Sequence, residues 1–492
     1  MSNLVVLDGR EGEGGGQVLR SALTLSLITG RPFRLEHVRF NRKPPGLKAQ
    51  HLTCVTGAAA LCDARVEGAE FGSTTVEFHP GAVDTSPHTF DVGTAGSTSL
   101  LFQCLFYPLA LAGGAHLTLR GGTHVTFSPS FDYLERVWLP MLRCYGLDAT
   151  LHLDAAGFFP QGGGSVRAEI QPVKPPGTGD LVFAPVQRLS RVEVLSTVGG
   201  LPLEVARRQN DAAAECLGDE RLKVETEVVI PKVKSSKGSA TLVWARLDSG
   251  LSAGESWLGD RGVRAEDVGR TAAEHFLSFL ATGGSCDVHL GDQLLLPAAL
   301  AASGYLGPVR ATTFTAAEVT EHLTTHVQVL QRFLDLEVII DGREVRLAPK
   351  SLARPFVPSG VEGLLVRSLP GPQTQALWGR PHEVPLDSAR GERAASGDHP
   401  LRVSAVIAFA MTPSIDASSR DERNCSASDA TSARSRTGMR KRSSSPSSSA
   451  SSPSAVGNGS SLMWSEPGAS VGAEVCHSII SGTASRMREA TP

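Results

Sequence analysis

Apolar residues recur at helical spacing directly after a glycine-rich segment near the start of the chain. Residues 11–16 include four glycines and follow a short apolar run, residues 4–7. Behind them, one face of a predicted helix is apolar, with Val18, Leu19, Ala22, Leu23 and Leu27. The helix is predicted to end at Gly30, a typical C-cap. A strand over 33–40 and a second helix after a Pro-Pro-Gly turn follow.

The same order of elements recurs twice along the chain. The second copy has predicted helices after residue 97 and over 133–144, with a strand over 116–119 between them. The third copy has helices after residue 289 and over 321–333, with strands over 309–313 and 336–340. Each first helix carries a glutamine near its start, namely Gln17, Gln103 and Gln293. We therefore predict an α/β fold built from three β-α-β-α-β repeats, whose equivalent loops meet at a shared centre.

An interruption and a change of character divide the chain further. Residues 1–182 are predicted to form the first part of a large domain, with repeats one and two. Residues 183–284, after a proline-rich linker, have their own strand and helix pattern and are predicted to be a small inserted α/β domain. Residues 285–350 complete the large domain with repeat three. Residues 351–492 lose periodicity and become serine-rich, which predicts a disordered, low-complexity tail.

Composition indicates the cellular environment of the protein more than its function. The 492 residues carry a formal net charge of −3, so any basic surface must be local. None of the eight cysteines forms a CxxC pair, which argues against a zinc site or a disulfide framework. We expect a cytoplasmic protein without a signal peptide. The longest apolar run, residues 294–302, is too short to span a bilayer, so no membrane partner is expected.

The glycine-rich segment is the first candidate for chemistry. A strand, a glycine loop and a helix start commonly hold phosphate groups. The segment lacks the Gly-Lys-Ser/Thr of a P-loop, and Gln17 breaks the GxGxxG spacing. Glu11 and Glu13 would repel phosphate unless a divalent cation lay between them. The alternative is a simple turn that needs glycine for its backbone angles.

Basic residues surround this segment. A groove lined by them would suit nucleotide phosphates or an RNA backbone, whereas the alternative is a solvated face. The cluster comprises Arg20, Arg31, Arg34, Arg39, Arg42, Lys43 and Lys48. A second basic edge, with Lys232, Lys234 and Lys237, lies in the inserted segment, where the pattern favours a solvated loop over a binding surface.

Two histidines occupy matching places in the repeats. His51 opens the second helix of copy one, and His322 opens the second helix of copy three. Neither belongs to an HExxH motif, so zinc is not indicated. Although His326 could share a helix face with His322, no third ligand is evident. An imidazole near phosphates can act as a base or as a nucleophile, but spacing alone favours a structural core histidine for each.

Several motifs together resemble the RNA 3′-terminal phosphate cyclase family. They are Glu-Gly-Glu-Gly-Gly-Gly-Gln-Val-Leu-Arg (11–20), Arg-Lys-Pro-Pro-Gly-Leu (42–47), Gln-His-Leu (50–52), Arg-Gly-Gly-Thr (120–123), Phe-Pro-Gln-Gly-Gly-Gly (159–164), Asp-Gln-Leu (292–294) and His322. The resemblance covers residues 4–345 in order. It implies a three-repeat domain with a small insertion, and ATP-dependent conversion of an RNA 3′-phosphate to a 2′,3′-cyclic phosphate.

The resemblance also implies roles for individual residues. His322 would form a covalent histidine-AMP, and AMP would then pass to the RNA 3′-phosphate before the ribose 2′-OH expels it. Glu13 would bind a divalent metal, Mg²⁺ or Mn²⁺. The RNA phosphate would be oriented by Arg20, Arg39, Arg42, Gln50 and His51. ATP would be bound by Gln103, His289, Leu290, Gly291, Asp292 and Gln293. His289 departs from the family pattern, in which tyrosine is common.

Two other functions share this type of fold. A cyclase-like ribosome-assembly protein would lack the nucleophilic histidine, which His322 argues against. An enolpyruvyl-type transferase would need neither the Glu13 loop nor His322. The motif set therefore favours the cyclase, with ATP and an RNA bearing a 3′-phosphate as its partners.

Overall fold

The computed structural model describes residues 4–350, apart from 94, 187–188, 190, 219–221 and 248–250. The predicted tail, residues 351–492, lies outside the described residues. The first repeat contains β1 (Val5–Asp8), α1 (Gln17–Thr29), β2 (Phe33–Glu36), α2 (Ala49–Cys62), β3 (Arg65–Glu67) and β4 (Val76–His79). The strand predicted over 33–40 stops at Glu36, because His37 and Arg39 adopt left-handed backbone angles, φ 53° and 54°.

The second repeat begins with β5 (His88–Asp91), α3 (Thr98–Leu111) and β6 (Ala115–Gly121). Its second helix starts earlier than predicted, as α4 (Phe131–Tyr133), passes through a π-helical turn at Leu134–Trp138 and ends as α5 (Leu139–Leu142). A 3₁₀ turn follows at Arg143–Tyr145, and β7 (Ala149–Ala155) and β8 (Gly164–Ile170) close the repeat.

The third repeat is split by the insertion. It begins with β9 (Leu181–Val182), which pairs in parallel with a strand that follows the insertion. The inserted segment contains β10 (Arg191–Gly199), α6 (Leu203–Leu217), β11 (Lys223–Val229), β12 (Gly238–Arg246), β13 (Ser252–Leu258) and α7 (Ala265–Thr282). The repeat resumes with α8 (Val288–Gln293), α9 (Leu295–Ala302), β14 (Thr312–Thr315), α10 (Glu321–Phe333), β15 (Leu336–Asp341) and β16 (Glu344–Pro349).

Sheet topology confirms the predicted three-repeat α/β fold. The three sheets run β1-β2-β4-β3, β5-β6-β8-β7 and β9-β14-β16-β15. In each, the first pair is parallel and the other two pairs are antiparallel. Every repeat thus has one strand more than the predicted unit. Because β9 belongs to the third sheet, the insertion falls inside repeat three rather than between repeats two and three.

The inserted segment has its own four-stranded sheet, β11-β10-β12-β13, and two helices, α6 and α7. Only β10 and β11 pair in parallel in this sheet. The predicted domain boundaries at 182/183 and 284/285 remain predictions. The insertion lies between the first strand and the first helix of repeat three. The glycine loop occupies the equivalent position in repeat one.

The packing of the repeats explains why their loops converge. Buried apolar residues form one continuous cluster from Val5 to Leu347, which includes residues of all three repeats and the insertion. Within repeat two, the ring of Trp138 lies 5.3 Å from that of Phe106 and 6.0 Å from that of Phe102. Between repeats, Thr24 of α1 donates its hydroxyl hydrogen to the Cys104 carbonyl of α3, at 2.8 Å. The first helices of repeats one and two are therefore in direct contact.

Candidate active site

The glycine loop, residues 11–16, packs against the last repeat. Gly12 and Gly14 have φ angles of 63° and 64°, which L side chains rarely adopt. A Cβ on Gly12 would collide with the Thr325 hydroxyl of α10. The same hydroxyl accepts a hydrogen bond from the Glu13 backbone N–H, at 3.0 Å. Glycine is therefore required for the loop to lie directly on α10.

His322 begins the second helix of repeat three and faces the start of the first repeat. Its Nδ1 lies 2.9 Å from the Gln17 Oε1 and 3.3 Å from a Glu13 carboxylate oxygen. Gln17 in turn donates from its Nε2 to Asp292, at 3.1 Å. This arrangement places the ring proton on Nδ1 and leaves the Nε2 lone pair without a partner in this network. Since 49% of the side chain is exposed, Nε2 can meet a substrate.

Asp292 holds Gln17 in place by accepting its hydrogen bond. Burial raises its pKa to about 7, while the Gln17 hydrogen bond and the charge of Arg20 act in the opposite direction. The His326 Nδ1 donates to the Asp292 backbone carbonyl, at 3.0 Å. Burial lowers the pKa of His326 to about 4, so this ring is neutral at pH 7. Three consecutive partners, Asp292, Gln17 and His322, are thus held from three different helices.

Arg20 and His51 lie beside the glycine loop. A Cβ on Gly16 would collide with the His51 ring, and it would lie 3.0 Å from the Arg20 guanidinium. Burial, followed by the charges of Arg20 and Arg39, lowers the pKa of His51 to about 3. His51 is therefore neutral at pH 7, and its buried Nδ1 has no hydrogen-bond partner. It can donate or accept a hydrogen bond but adds no positive charge.

The remaining predicted phosphate ligands surround the same loop. Arg42 forms an ion pair with Glu13. Arg39 donates to the backbone carbonyl of Gly46 at 3.0 Å, and burial, followed by the charge of Arg42, lowers its pKa. Gln50 accepts a 3.5 Å hydrogen bond from the Ser97 backbone N–H in repeat two. The residues predicted from repeat one are therefore brought together, with Gln50 joining them to the next repeat.

The predicted ATP segment lies at the start of repeat three's first helix. Gln103 of α3 donates to Gln293 of α8 at 2.7 Å, so two of the three repeated glutamines are in contact. Leu290 and Gly291 are buried, and a Cβ on Gly291 would lie 3.4 Å from Ala316 in the core. The His289 side chain is 68% exposed. Gln103, Gln293 and His289 could therefore contact a ligand through their side chains. Leu290 and Gly291 are packed in the interior.

Comparison with known proteins decides the family. The RNA 3′-terminal phosphate cyclase family matches residues 11–340. This chain belongs to the RNA 3′-terminal phosphate cyclase family. It is 38% identical to the RNA 3′-terminal phosphate cyclase of Nostoc punctiforme over 357 residues, covering 71% of this chain and 99% of that protein. The recognition made from the motifs is confirmed.

Two further relatives carry the same name. The RNA 3′-terminal phosphate cyclase of Metallosphaera sedula is 38% identical over 341 residues, covering 69% of this chain and 97% of that protein. The protein of the same name from Koribacter versatilis is 36% identical over 348 residues, covering 70% of this chain and 93% of that protein.

The described part of the chain contains no helix long and apolar enough to cross a membrane.

Glu13, the residue predicted to bind a divalent metal, has a carboxylate oxygen that is free to meet an ion. One carboxylate oxygen of Glu13, Oε2, is buried and makes no hydrogen bond, although the His322 Nδ1 lies 3.3 Å away. Among residues 4–350, with the gaps given above, no group of three or more His, Cys, Asp or Glu side chains could hold an ion by itself. This fits an ion such as Mg²⁺, which commonly binds one or two carboxylates and completes its shell with substrate phosphates and water.

Sequence reasoning missed several contributors to the site. The repeated glutamine pattern includes Gln17 but predicts no role for it in the site, although it links Asp292 to His322. Asn41 donates to the Gly12 and Glu13 carbonyls, both at 3.4 Å, and Thr325 caps the Glu13 N–H. The recurrence of Gln17, Gln103 and Gln293 was the available signal. Asn41 and Thr325 had none, because they act on backbone groups far away in sequence.

Glu255 of the inserted sheet also reaches the ATP segment. Its carboxylate lies 4.0 Å from the His289 Nε2, and the residue is only 6% exposed. Burial, followed by the Asp287 carboxylate, raises its pKa to about 9. Asp287 is fixed by the Tyr133 hydroxyl at 2.9 Å and by the backbone N–H groups of His289 and Leu290. The carboxyl group of Glu255 is therefore protonated at neutral pH.

We expect Glu255→Gln to alter how stability depends on pH. The folded pKa of about 9 lies above the ordinary value of 4.5. The contribution of the protonated carboxyl group to wild-type stability is therefore complete below the ordinary pKa and is lost as pH rises through the folded pKa. Glutamine cannot ionise. The melting temperature of the variant, measured calorimetrically, should gain on wild type from about pH 5 to about pH 9. Exposed Glu274→Gln is the control; a constant difference at all pH values would contradict the prediction.

Proposed function

We propose that this chain converts an RNA 3′-phosphate to a 2′,3′-cyclic phosphate in an ATP-dependent reaction, through a covalent adenylate on His322. The observation that carries the proposal is the hydrogen-bonded chain from Asp292 through Gln17 to His322. It holds the imidazole so that Nε2 is the nucleophilic nitrogen. Glu13 and the cationic cluster then provide the setting for phosphoryl chemistry.

In the first step, Nε2 of His322 attacks the α-phosphorus of ATP. A P–N bond forms, the P–O bond to the leaving group breaks, and diphosphate departs. The imidazole gains positive charge as it reacts. The Gln17 carbonyl oxygen and the Glu13 carboxylate, 2.9 and 3.3 Å from Nδ1, stabilise this charge. We assign ATP binding to Gln103, His289, Leu290, Gly291, Asp292 and Gln293.

In the second step, an oxygen of the RNA 3′-phosphate attacks the adenylate phosphorus. The P–N bond breaks, His322 is restored, and the RNA end now carries AMP in a diphosphate linkage. The ribose 2′-OH then attacks the 3′-phosphorus, releasing AMP and its own proton and closing the cyclic diester. Adenylation is needed because an unactivated phosphate monoester has a poor leaving group, and the covalent route divides one hard displacement into easier ones.

The RNA phosphate requires cationic and hydrogen-bonding ligands. We assign this role to Arg20, Arg39, Arg42, Gln50 and His51. Arg42 is paired with Glu13 in the structure, so it can change partner when phosphate arrives. A divalent cation, Mg²⁺ or Mn²⁺, held by Glu13 and the substrate phosphates would neutralise charge at phosphorus. The cysteine pattern further leads us to propose a cytoplasmic location.

Two assays of the wild-type protein test the proposal. With α-labelled ATP and a divalent metal, the protein should acquire an acid-labile, alkali-stable phosphoramidate label. With a 3′-phosphorylated oligonucleotide, the terminal phosphate should become resistant to phosphatase as AMP is released. A protein that is never labelled, or an RNA end that stays phosphatase-sensitive, would refute the proposal. A 3′-hydroxyl oligonucleotide is the matched control and should not react.

A further inference from the structure

Three loops contact one another near the proposed active site and are here called the three-loop rim: residues 122–130, 156–163 and 230–238. The Thr123 backbone N–H donates to the Gly157 carbonyl at 2.8 Å, and the Ala156 N–H donates to the Lys232 carbonyl at 2.7 Å. The Phe158 N–H donates to the Ser236 hydroxyl at 3.1 Å. Repeat two and the insertion are therefore joined along this rim.

The rim is directly connected to the phosphate ligands. Gln50 accepts a hydrogen bond from the Ser97 N–H. The preceding residue, Gly96, accepts a hydrogen bond through its carbonyl oxygen from the Gly122 backbone N–H of the rim, at 2.8 Å. A chain that places its end beside Gln50 therefore has the rim as a neighbouring surface.

Two aromatic rings of the rim are exposed. Phe127 has a relative exposure of 101% and a φ angle of 60°, an unfavourable backbone conformation for a bulky residue. The Phe159 side chain is 68% exposed, whereas its neighbour Phe158 is buried and stacks on His124, with the ring centroids 5.2 Å apart. Burial in the core therefore accounts for Phe158 but not for Phe127 or Phe159.

The charge of the rim has one sign. The three loops contain no aspartate or glutamate, and Lys232, Lys234 and Lys237 are all exposed. A Cβ on Gly163 would lie 3.8 Å from the Lys234 Cβ, so this lysine lies next to the loop that carries Phe159. The neighbouring carboxylate, Asp154, is engaged by Arg167 at 2.8 Å. Exposed rings with lysines suit a single-stranded polyanion whose bases can stack.

We propose that the three-loop rim binds the single-stranded nucleotides upstream of the RNA 3′-phosphate, with bases stacking on Phe127 and Phe159 and lysines contacting the backbone. This inference rests on the proposed function, since it places the end of the same RNA at Gln50. It assigns the Phe-Pro-Gln-Gly-Gly-Gly loop a role in substrate length preference. It also gives the insertion a part in RNA binding.

The test compares a 3′-phosphorylated decamer with a 3′-phosphorylated dinucleotide. Phe127→Gly, which also relieves the backbone strain, and Phe159→Ala should each raise the decamer KM about tenfold. The KM of the dinucleotide should not change. Phe159→Tyr should restore the decamer KM, because a ring is present again. The exposed Tyr305→Ala serves as the aromatic control.

The lysines are tested by salt dependence. Binding of a fluorescent decamer without ATP should become less salt-dependent when Lys232, Lys234 and Lys237 are all changed to glutamine, with the slope of log K against log salt falling by about two. Lys174→Gln is the control, since Lys174 follows β8 at the end opposite Gly164. An unchanged slope, an unchanged decamer KM, or an equal change for the dinucleotide would overturn the inference.

Self-adenylation separates this inference from the proposed function. All rim variants should be labelled by α-labelled ATP at the wild-type rate, because this step involves no RNA. Loss of labelling in the rim variants would overturn the inference, since it would place these residues in the ATP reaction. Absence of labelling in the wild type would instead refute the proposed function, and the binding assay without ATP would still measure the rim.

Discussion

Replacing His322 with asparagine is expected to abolish the covalent adenylate and to lower cyclisation by at least about 10,000-fold, as for other lost nucleophiles. Asparagine retains an N–H that can donate to the Gln17 Oε1, which lies 2.9 Å from the wild-type Nδ1. It has no nitrogen lone pair that can attack phosphorus. The variant therefore removes the chemistry while preserving the local hydrogen bond.

The measurement combines labelling by α-labelled ATP with single-turnover cyclisation of a 3′-phosphorylated oligonucleotide. His116→Asn is the matched control, because His116 lies on an exposed position of β6. Its label and its rate should equal those of the wild type. Undiminished label on His322→Asn would mean that another residue is the nucleophile. His322→Ala should behave like the asparagine variant, which excludes an effect of the amide itself.

Gln17→Met is expected to lower the rate of self-adenylation by roughly 100- to 1,000-fold, a loss typical of a mispositioned catalytic group. Methionine has a similar shape but can neither accept from His322 nor donate to Asp292. Without the Gln17 oxygen, the ring proton is no longer confined to Nδ1, and the wrong tautomer or rotamer becomes populated. In serine proteases, altering the aspartate that orients the catalytic histidine costs still more, about 10,000-fold, because the wrong tautomer is populated.

The diagnostic readout for Gln17→Met is the single-turnover adenylation rate at saturating ATP and its pH profile. A residue that only supports the fold would lower the melting temperature instead. Gln328→Met on exposed α10 surface is the control and should leave the rate unchanged. An unaltered adenylation rate in Gln17→Met would show that the Asp292–Gln17–His322 chain does not orient the nucleophile.

The repeats were predictable because apolar residues recur at helical spacing in their helices and because recognisable caps mark helix ends. Gly30 adopts a left-handed conformation with φ 68° at the end of α1, and Thr320 caps the start of α10. His322 was singled out because the second helices of repeats one and three begin with histidines at matching places. Its role as a nucleophile, however, came from the family resemblance. Periodicity alone left it open to a structural interpretation.

Short or irregular strands could not be predicted in the same way. β9 has two residues and becomes a strand only by pairing with β14, which is why the insertion was placed outside repeat three. β13, with the sequence Ser-Ala-Gly-Glu-Ser-Trp-Leu, lacks apolar alternation because its first four residues, including Glu255, are buried at the junction with the large domain. Tertiary contacts determine such strands, and local sequence does not record them.

The contact between His322 and Gln17 joins residues that are 305 positions apart in the chain. During synthesis at roughly 5–20 residues per second, the two would be made roughly 15–60 s apart. Throughout that interval, the glycine loop has no α10 against which to pack, and Glu13 lacks both Thr325 and His322. Under the mechanism proposed above, the nascent chain therefore cannot be adenylated until repeat three has emerged and docked. Self-labelling would then report completed folding of the large domain.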